Sequence, residues 1–294
     1  MSRTADILLT ALAPAVWGST YLVTTEFLPE GYPITLAVLR ALPAGLLLLA
    51  VTRSLPPRNW LGRVMLLGAL NFAAFWTLLF VAAHQLPGGV AATVTSLQAL
   101  MVIGLARGWL GAPVRAAAVV AAITGVAGVG LLLLGPGAPP DPAGIAAALG
   151  AAAAMAAGTV LSRKWQPSVP ALSFTAWQLT AGGLILLPLS LFLEPALPPL
   201  SGANLGGLLW LGLVGAAATY WIWFRGVARI EPGSVAMLGL MSPVTAVVLG
   251  WIWLGQALSP LQILGAAIVL GSVLASQLAN RPARAQGVSR AASP

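Results

Sequence analysis

The amino-acid sequence predicts an all-α membrane protein with ten transmembrane helices, arranged as two inverted five-helix repeats around a central cavity. Composition, the spacing of apolar stretches and an internal repeat together predict this fold. Of the 294 residues, 59% are hydrophobic and only 7% are charged. Soluble proteins have roughly a quarter charged residues, so this chain is predicted to lie in a lipid bilayer.

Ten apolar stretches are each close to the roughly 20 residues that cross about 30 Å of hydrocarbon. They cover residues 5–27, 33–52, 61–83, 88–109, 115–135, 143–162, 171–193, 204–226, 233–254 and 260–279. Turn signals and charges separate them, as at residues 56–58 and 231–233. The first stretch is expected to be a retained helix because no convincing signal-peptidase site follows it.

The basic residues predict the orientation of the chain in the membrane. With the N-terminus inside, 13 of the 14 Lys and Arg residues fall on the cytoplasmic side, and Arg40 is the exception. This positive-inside pattern predicts a multi-pass protein of a bacterial inner membrane with both termini cytoplasmic. It also accounts for the net charge of +8, so nucleic-acid binding is not expected.

Enzyme and metal chemistry have little support in this composition. The chain has no Cys, one His and six acidic residues, and it lacks the His-Glu-x-x-His and Gly-x-Ser-x-Gly motifs. No enzyme activity, metal or cofactor is therefore expected. An intramembrane enzyme and a non-transporting membrane scaffold remain as alternatives.

An internal repeat relates the two halves of the chain at an offset of 145 residues. Phe75 and Trp76 align with Tyr220 and Trp221, and residues 81–91 align with residues 226–236, sharing Pro-Gly and Val-Ala pairs. Because five helices are an odd number, the second copy must cross the membrane upside down, which suits alternating access.

The repeat divides the chain into three parts. Residues 1–137 are predicted to form the first five-helix repeat and residues 138–280 the inverted second one, followed by a cytoplasmic tail at 281–294.

Several motifs resemble the drug/metabolite transporter superfamily in its ten-helix EamA-type branch, along essentially the whole chain. They are Trp17-Gly18-Ser19-Thr20-Tyr21, Arg40, Thr95-Ser96-Leu97-Gln98, Ile230-Glu231-Pro232-Gly233, Ser242-Pro243 and Trp253-Leu254-Gly255-Gln256. Ala99, Ala112 and Gln256 depart from the family pattern, which often has Pro or an acidic residue there. Within the branch, the mid-membrane aromatic residues look most similar to YddG-type bacterial amino-acid exporters. The resemblance implies alternating-access export of small metabolites, most readily aromatic or neutral amino acids.

The candidate solute contacts are polar and aromatic side chains near mid-depth. They are Trp17, Tyr21, Arg40, Asn71, Phe75, Trp76, Gln98, Trp177, Gln178 and Tyr220, with Trp221 as a possible gate. Amides offer donors and acceptors to a zwitterion, and aromatic rings stack on apolar solute groups. The alternative for Asn71 and Gln98 is hydrogen bonding between helices, and for the rings it is helix packing.

Arg40 is the one basic residue expected inside a span, and it needs a partner. It either binds a carboxylate or other anion of the solute, or pairs with Glu26 or Glu30 or with helix-end carbonyls. Trp177 occupies the equivalent place in the second half, beside Gln178.

Two further features bear on coupling and movement. The spans have no central carboxylate, so facilitated transport is expected, with His84 either a proton carrier or a structural residue. Pro14, Pro43, Pro188 and Pro243 interrupt the helical hydrogen-bond ladder and are candidate hinges.

A small-molecule solute and the lipid bilayer are the expected partners, with monomer and homodimer left open. The alternative solutes are a drug-like amine, a purine or a sugar derivative.

Overall fold

The computed structural model describes residues 3–86, 94–133, 141–255 and 259–279, and these ranges contain helices and no strand. Eight helices are long and apolar enough to cross a membrane: α1 (Arg3–Phe27), α2 (Pro33–Thr52), α3 (Arg58–Ala82), α6 (Pro142–Lys164), α7 (Ala171–Leu193), α8 (Gly202–Arg229), α9 (Pro232–Leu254) and α10 (Pro260–Ala279). Two shorter apolar helices, α4 (Val94–Leu110) and α5 (Ala116–Leu133), border residues outside the described ranges. The predicted all-helical membrane fold is confirmed, whereas the count of ten spans stays a prediction.

Aliphatic and aromatic side chains cover much of the outer surface of the bundle. Leu8, Val51 and Phe192 are 64%, 64% and 87% exposed. Such a surface is unfavourable in water and is the one that lipid chains accept.

Glycine allows the closest helix contacts, which join α2 to α7 and α5 to α10. A Cβ added at Gly45 would lie 2.5 Å from the backbone nitrogen of Thr180, and one at Gly128 would lie 2.8 Å from a side-chain methyl of Ile268. Small residues let membrane helices approach in this way, because van der Waals contact replaces the hydrophobic effect there.

The remaining large interfaces also cross between the two halves of the chain. Helix α1 packs on α8 and α9, and helix α6 packs on α3 and α4. Gly18 of α1 lies against the backbone of Ser242 in α9, and Gly158 of α6 lies against Asn71 in α3.

Several helices are interrupted, and the interruptions of α3 and α4 recur in their counterparts α8 and α9. Helix α3 contains a π-helical segment at Ala69–Ala74, and α8 contains one at Trp210–Ala218. Turns also break α1 at Gly18, α4 at Leu97 and α9 at residues 239–240. Helical irregularities of this kind occur often at functional sites.

Basic side chains bind helix ends where α1 begins and α10 ends, which we call the terminal end of the bundle. Arg3 and Arg115 donate to the carbonyl oxygens of Gln277 and Ala279 at 3.2 and 2.6 Å. Asp6 of α1 pairs with Arg225 and Arg229 of α8 at 2.8 and 3.4 Å. That this end faces the cytoplasm remains a prediction from the positive-inside pattern.

Candidate functional site

Aromatic rings from α1, α3 and α8 meet inside the bundle. The ring centres of Trp17 and Phe72 each lie 4.7 Å from that of Tyr220, and those of Phe72 and Trp76 lie 5.3 Å apart. Phe224 adds a ring centre 6.0 Å from Tyr220. We call these five residues the aromatic cluster.

The local sequence places the aromatic cluster. Phe72 and Trp76 are four residues apart on α3, as are Tyr220 and Phe224 on α8, so each pair projects from one helix face. The indole nitrogen of Trp17 donates to the hydroxyl of Thr219 at 2.9 Å, which fixes α1 beside α8.

Arg40 lies beside this cluster, and only 9% of it is exposed. Its Nη2 donates to the carbonyl oxygen of Gly215 at 2.7 Å, within the π-helical segment of α8. Its guanidinium carbon lies 5.1 Å from the ring centre of Trp76. Glu26 and Glu30 are exposed, and among the described residues neither forms an ion pair with Arg40.

Three polar side chains from α3, α6 and α7 bind one another, and we call them the amide network. The Asn71 amide nitrogen donates to Gln178 Oε1 at 2.8 Å and to Ser162 Oγ at 3.2 Å. The Ser162 hydroxyl in turn donates to Gln178 Oε1 at 3.3 Å. All three residues are at most 1% exposed. Their contacts are hydrogen bonds between helices, which is the alternative to solute contact given above for Asn71.

Trp177 lies in a separate hydrophobic group towards the terminal end. Its indole nitrogen donates to the carbonyl oxygen of Ser54 at 2.6 Å, and its ring centre lies 6.4 Å from that of Trp60. These contacts join the start of α7 to the end of α2. The structure does not bring Trp177 together with the aromatic cluster.

The other predicted residues are distributed around the core. Phe75 is half-buried against it, Gln98 is half-buried directly after the turn at Leu97, and Trp221 is 42% exposed. The side chains of Tyr21 and His84 lie outside the described residues, so their predicted roles stay predictions.

The four candidate hinge prolines fall into two groups. Pro14 is buried, and its carbonyl oxygen accepts from Gly18 N at 3.2 Å where α1 breaks. Pro243 is the third residue after the break in α9, within the first turn of the helix that begins at Met241. Pro43 and Pro188 are exposed inside unbroken helices.

A cavity of about 350 Å³ lies away from the terminal end, between α2, α3 and the end of α7. Ile34, Thr77 and Phe80 are among the residues that line it. The Glu194 carboxylate at its edge accepts from the backbone nitrogens of Ile34 and Thr35 at 2.6 and 2.7 Å. Of the candidate solute contacts whose side chains the structure describes, none lines this cavity.

Sequence reasoning missed Phe72, Ser162 and Gly215. The sequence does indicate the position of Phe72, because it lies four residues before Trp76 and therefore on the same helix face. Ser162 and Gly215 look like ordinary small residues of a membrane helix, and only tertiary packing gives them their partners.

In the described part of the chain, no three His, Cys, Asp or Glu side chains are grouped to hold a metal.

Comparison with known proteins gives the family. The model of the EamA-like transporter family matches residues 4–134 and 142–277. Protein PecM of Dickeya dadantii is 43% identical over 267 residues, 90% of each chain. The uncharacterized inner membrane transporter YedA of Escherichia coli K12 is 30% identical over 88% of this chain and 86% of its own.

A solved crystal structure with 23% identity superposes with a TM-score of 0.82 over 95% of this chain and 100% of the other, which shows the fold alone. The predicted similarity to YddG-type exporters stays a prediction, since neither PecM nor YedA is named for an amino acid. The chain belongs to the EamA-like transporter family and is a multi-pass membrane transporter.

Proposed function

We propose that the protein exports small metabolites across a bacterial inner membrane by alternating access, with aromatic or neutral amino acids as the first candidates. Membership of the EamA-like family supports transport. The aromatic cluster supports a solute with an apolar or aromatic body, because ring faces stack on such groups.

The helix packing is the observation that carries this proposal. Each helix of the first half has a counterpart five helices later: α1 corresponds to α6, α2 to α7, and so on. If every helix is exchanged with its counterpart, the interfaces α2–α7 and α5–α10 stay the same. The same exchange turns α1–α8 into α6–α3 and α1–α9 into α6–α4, all of which occur. This pattern supports a two-fold axis between residues 1–137 and 138–280.

Two further observations support the inverted repeat. The family model matches once in each half of the chain. The π-helical segment Ala69–Ala74, moved by 145 residues, falls on residues 214–219 and overlaps the segment Trp210–Ala218. Two similar halves of opposite orientation exchange conformations, so that a site between them opens to each side in turn.

The transport is proposed to be facilitated rather than proton-driven. A proton-coupled carrier generally needs a carboxylate or His within the membrane that alternates between sides. Asp6 is paired with two arginines at the terminal end, and Glu194 binds the start of α2. We expect equal solute counterflow with and without an imposed pH gradient, and a clear dependence on the gradient would contradict facilitated transport.

Counterflow in proteoliposomes tests the function itself. Vesicles with purified protein are loaded with unlabelled solute and diluted into labelled phenylalanine or a small neutral amino acid, beside protein-free vesicles. We expect transient accumulation of label that is lost in Trp76→Leu and kept in Trp251→Leu, because Trp76 is buried and Trp251 is 52% exposed. If folded protein exchanges no amino acid but does exchange an amine, a purine or a sugar derivative, the solute claim is wrong. If it exchanges none of them, the scaffold alternative is favoured.

A further inference from the structure

Arg40 is a buried cation that has no counter-ion among the described residues. We infer that the carboxylate of the transported solute is its partner, and that the carrier selects small carboxylates with an apolar body whether or not they carry an ammonium group. This inference rests on the proposed transport function and names the chemical feature that the carrier recognises.

The contacts of the guanidinium leave it incompletely bound. Of its five N–H donors, the described residues accept one hydrogen bond, at the Gly215 carbonyl oxygen, and the buried Nε has no acceptor. A buried charge of this kind is costly unless it is paired. A carboxylate accepts two parallel bonds from a guanidinium, which a carbonyl oxygen cannot do.

The protein itself supplies no such carboxylate. All six acidic residues lie within the described ranges, at helix ends or in loops: Asp6, Glu26, Glu30, Asp141, Glu194 and Glu231. Asp6 pairs with Arg225 and Arg229, and Asp141, Glu194 and Glu231 accept from backbone nitrogens. Glu26 and Glu30 are exposed. The described residues therefore offer no carboxylate to Arg40, which leaves the solute as its source.

The surroundings of Arg40 define the rest of the solute. Trp76 offers a ring face to the guanidinium, and the ring centre of Tyr220 lies 6.4 Å from that of Trp76. These rings suit an aromatic or aliphatic body. An ammonium group placed there would face the Arg40 charge with no carboxylate of the protein beside it, so the site gives it no favourable ionic contact.

Four solutes that share a phenyl group but differ in their charged groups show whether the carrier recognises the carboxylate or the ammonium group. 3-Phenylpropanoate has only the carboxylate, phenylalanine has both groups, and phenylalaninamide and 2-phenylethylamine have only the amine. Each competes against labelled 3-phenylpropanoate in counterflow with wild-type proteoliposomes. We expect 3-phenylpropanoate and phenylalanine to compete within about three-fold of each other, and the two amines to compete at least about ten-fold more weakly.

The variants are Arg40→Gln and Arg40→Lys, with Arg63→Gln as the matched control. Arg63 also stacks on an indole, with its guanidinium carbon 5.1 Å from the Trp60 ring centre, but it is exposed. We expect Arg40→Gln to reduce 3-phenylpropanoate counterflow at least about ten-fold, Arg40→Lys to restore part of it, and Arg63→Gln to leave it unchanged.

Three results would overturn the inference. They are equal competition by the amide and the acid, full activity of Arg40→Gln, and a preference of about ten-fold or more for phenylalanine over 3-phenylpropanoate. Each of them leaves transport itself intact. Loss of all counterflow from folded wild-type protein would instead remove the proposed function and this inference together.

Discussion

The amide network and Arg40 are both buried polar sites inside the membrane bundle, and the described residues leave one atom of each, Asn71 Oδ1 and Arg40 Nε, without a hydrogen bond. They differ in charge: the neutral groups of the network bind one another, whereas no described residue neutralises the charge of Arg40. Asn71, Ser162 and Gln178 bind one another through three hydrogen bonds of 2.8 to 3.3 Å. Arg40 forms one hydrogen bond, to a backbone carbonyl, and has no carboxylate partner among the described residues.

On our proposal, this difference distinguishes a structural site from a binding site. Neutral polar groups that hydrogen-bond to one another across helices stabilise a membrane bundle, typically by about 1 kcal/mol for each bond. A buried guanidinium without a counter-ion is costly to hold, and a hydrogen bond to a neutral backbone carbonyl does not neutralise its charge. The comparison predicts that damage to the amide network lowers stability, whereas damage at Arg40 lowers solute binding.

The largest expected loss of stability comes from crowding the amide network. A Cβ at Gly158 would overlap the Asn71 side chain, so Gly158→Ala is expected to lower the free energy of unfolding by about 1–3 kcal/mol. Gly104→Ala is the control, because no atom lies within 4 Å of the added carbon. Thermal unfolding of the two variants in detergent measures the difference. Equal midpoints of thermal unfolding for the two variants would show that displacing the Asn71 side chain does not destabilise the protein.

A smaller effect is expected from removing the network's hydrogen bonds one at a time. Asn71→Leu and Gln178→Leu should each lower the free energy of unfolding by about 1–2 kcal/mol. Since the two side chains bind each other at 2.8 Å, the double variant should lose less than the sum, by about 1 kcal/mol. A double-mutant cycle on unfolding free energies measures this coupling. Strict additivity would contradict a direct interaction.

The smallest effect on stability is expected at Arg40. Arg40→Met replaces an unpaired buried charge by a long apolar side chain, which removes the cost of holding that charge away from water. The free energy of unfolding should therefore stay within about 1 kcal/mol of wild type or rise. A loss of 3 kcal/mol or more, roughly the cost of breaking a satisfied buried ion pair, would indicate a structural role for Arg40.

The sequence predicts some of these features better than others. Composition and the length of apolar stretches are properties of single segments, so the all-helical membrane fold follows from them. The place of Asn71 inside an apolar helix also follows, but its partner Ser162 lies 91 residues away and is determined by tertiary packing. Trp177 is predicted from the sequence to contact the solute because it occupies the position of the second half that corresponds to Arg40. Its hydrogen bond to Ser54 instead depends on the packing of α7 against the end of α2.

The central claim is that Arg40 binds the solute carboxylate while the amide network holds helices together. Its most direct test is the dissociation constant of 3-phenylpropanoate for purified wild type, Arg40→Met and Asn71→Leu in detergent. The account predicts binding at least about ten-fold weaker in Arg40→Met and within about two-fold of wild type in Asn71→Leu. Unchanged binding in Arg40→Met, or an equal loss in Asn71→Leu, would contradict it.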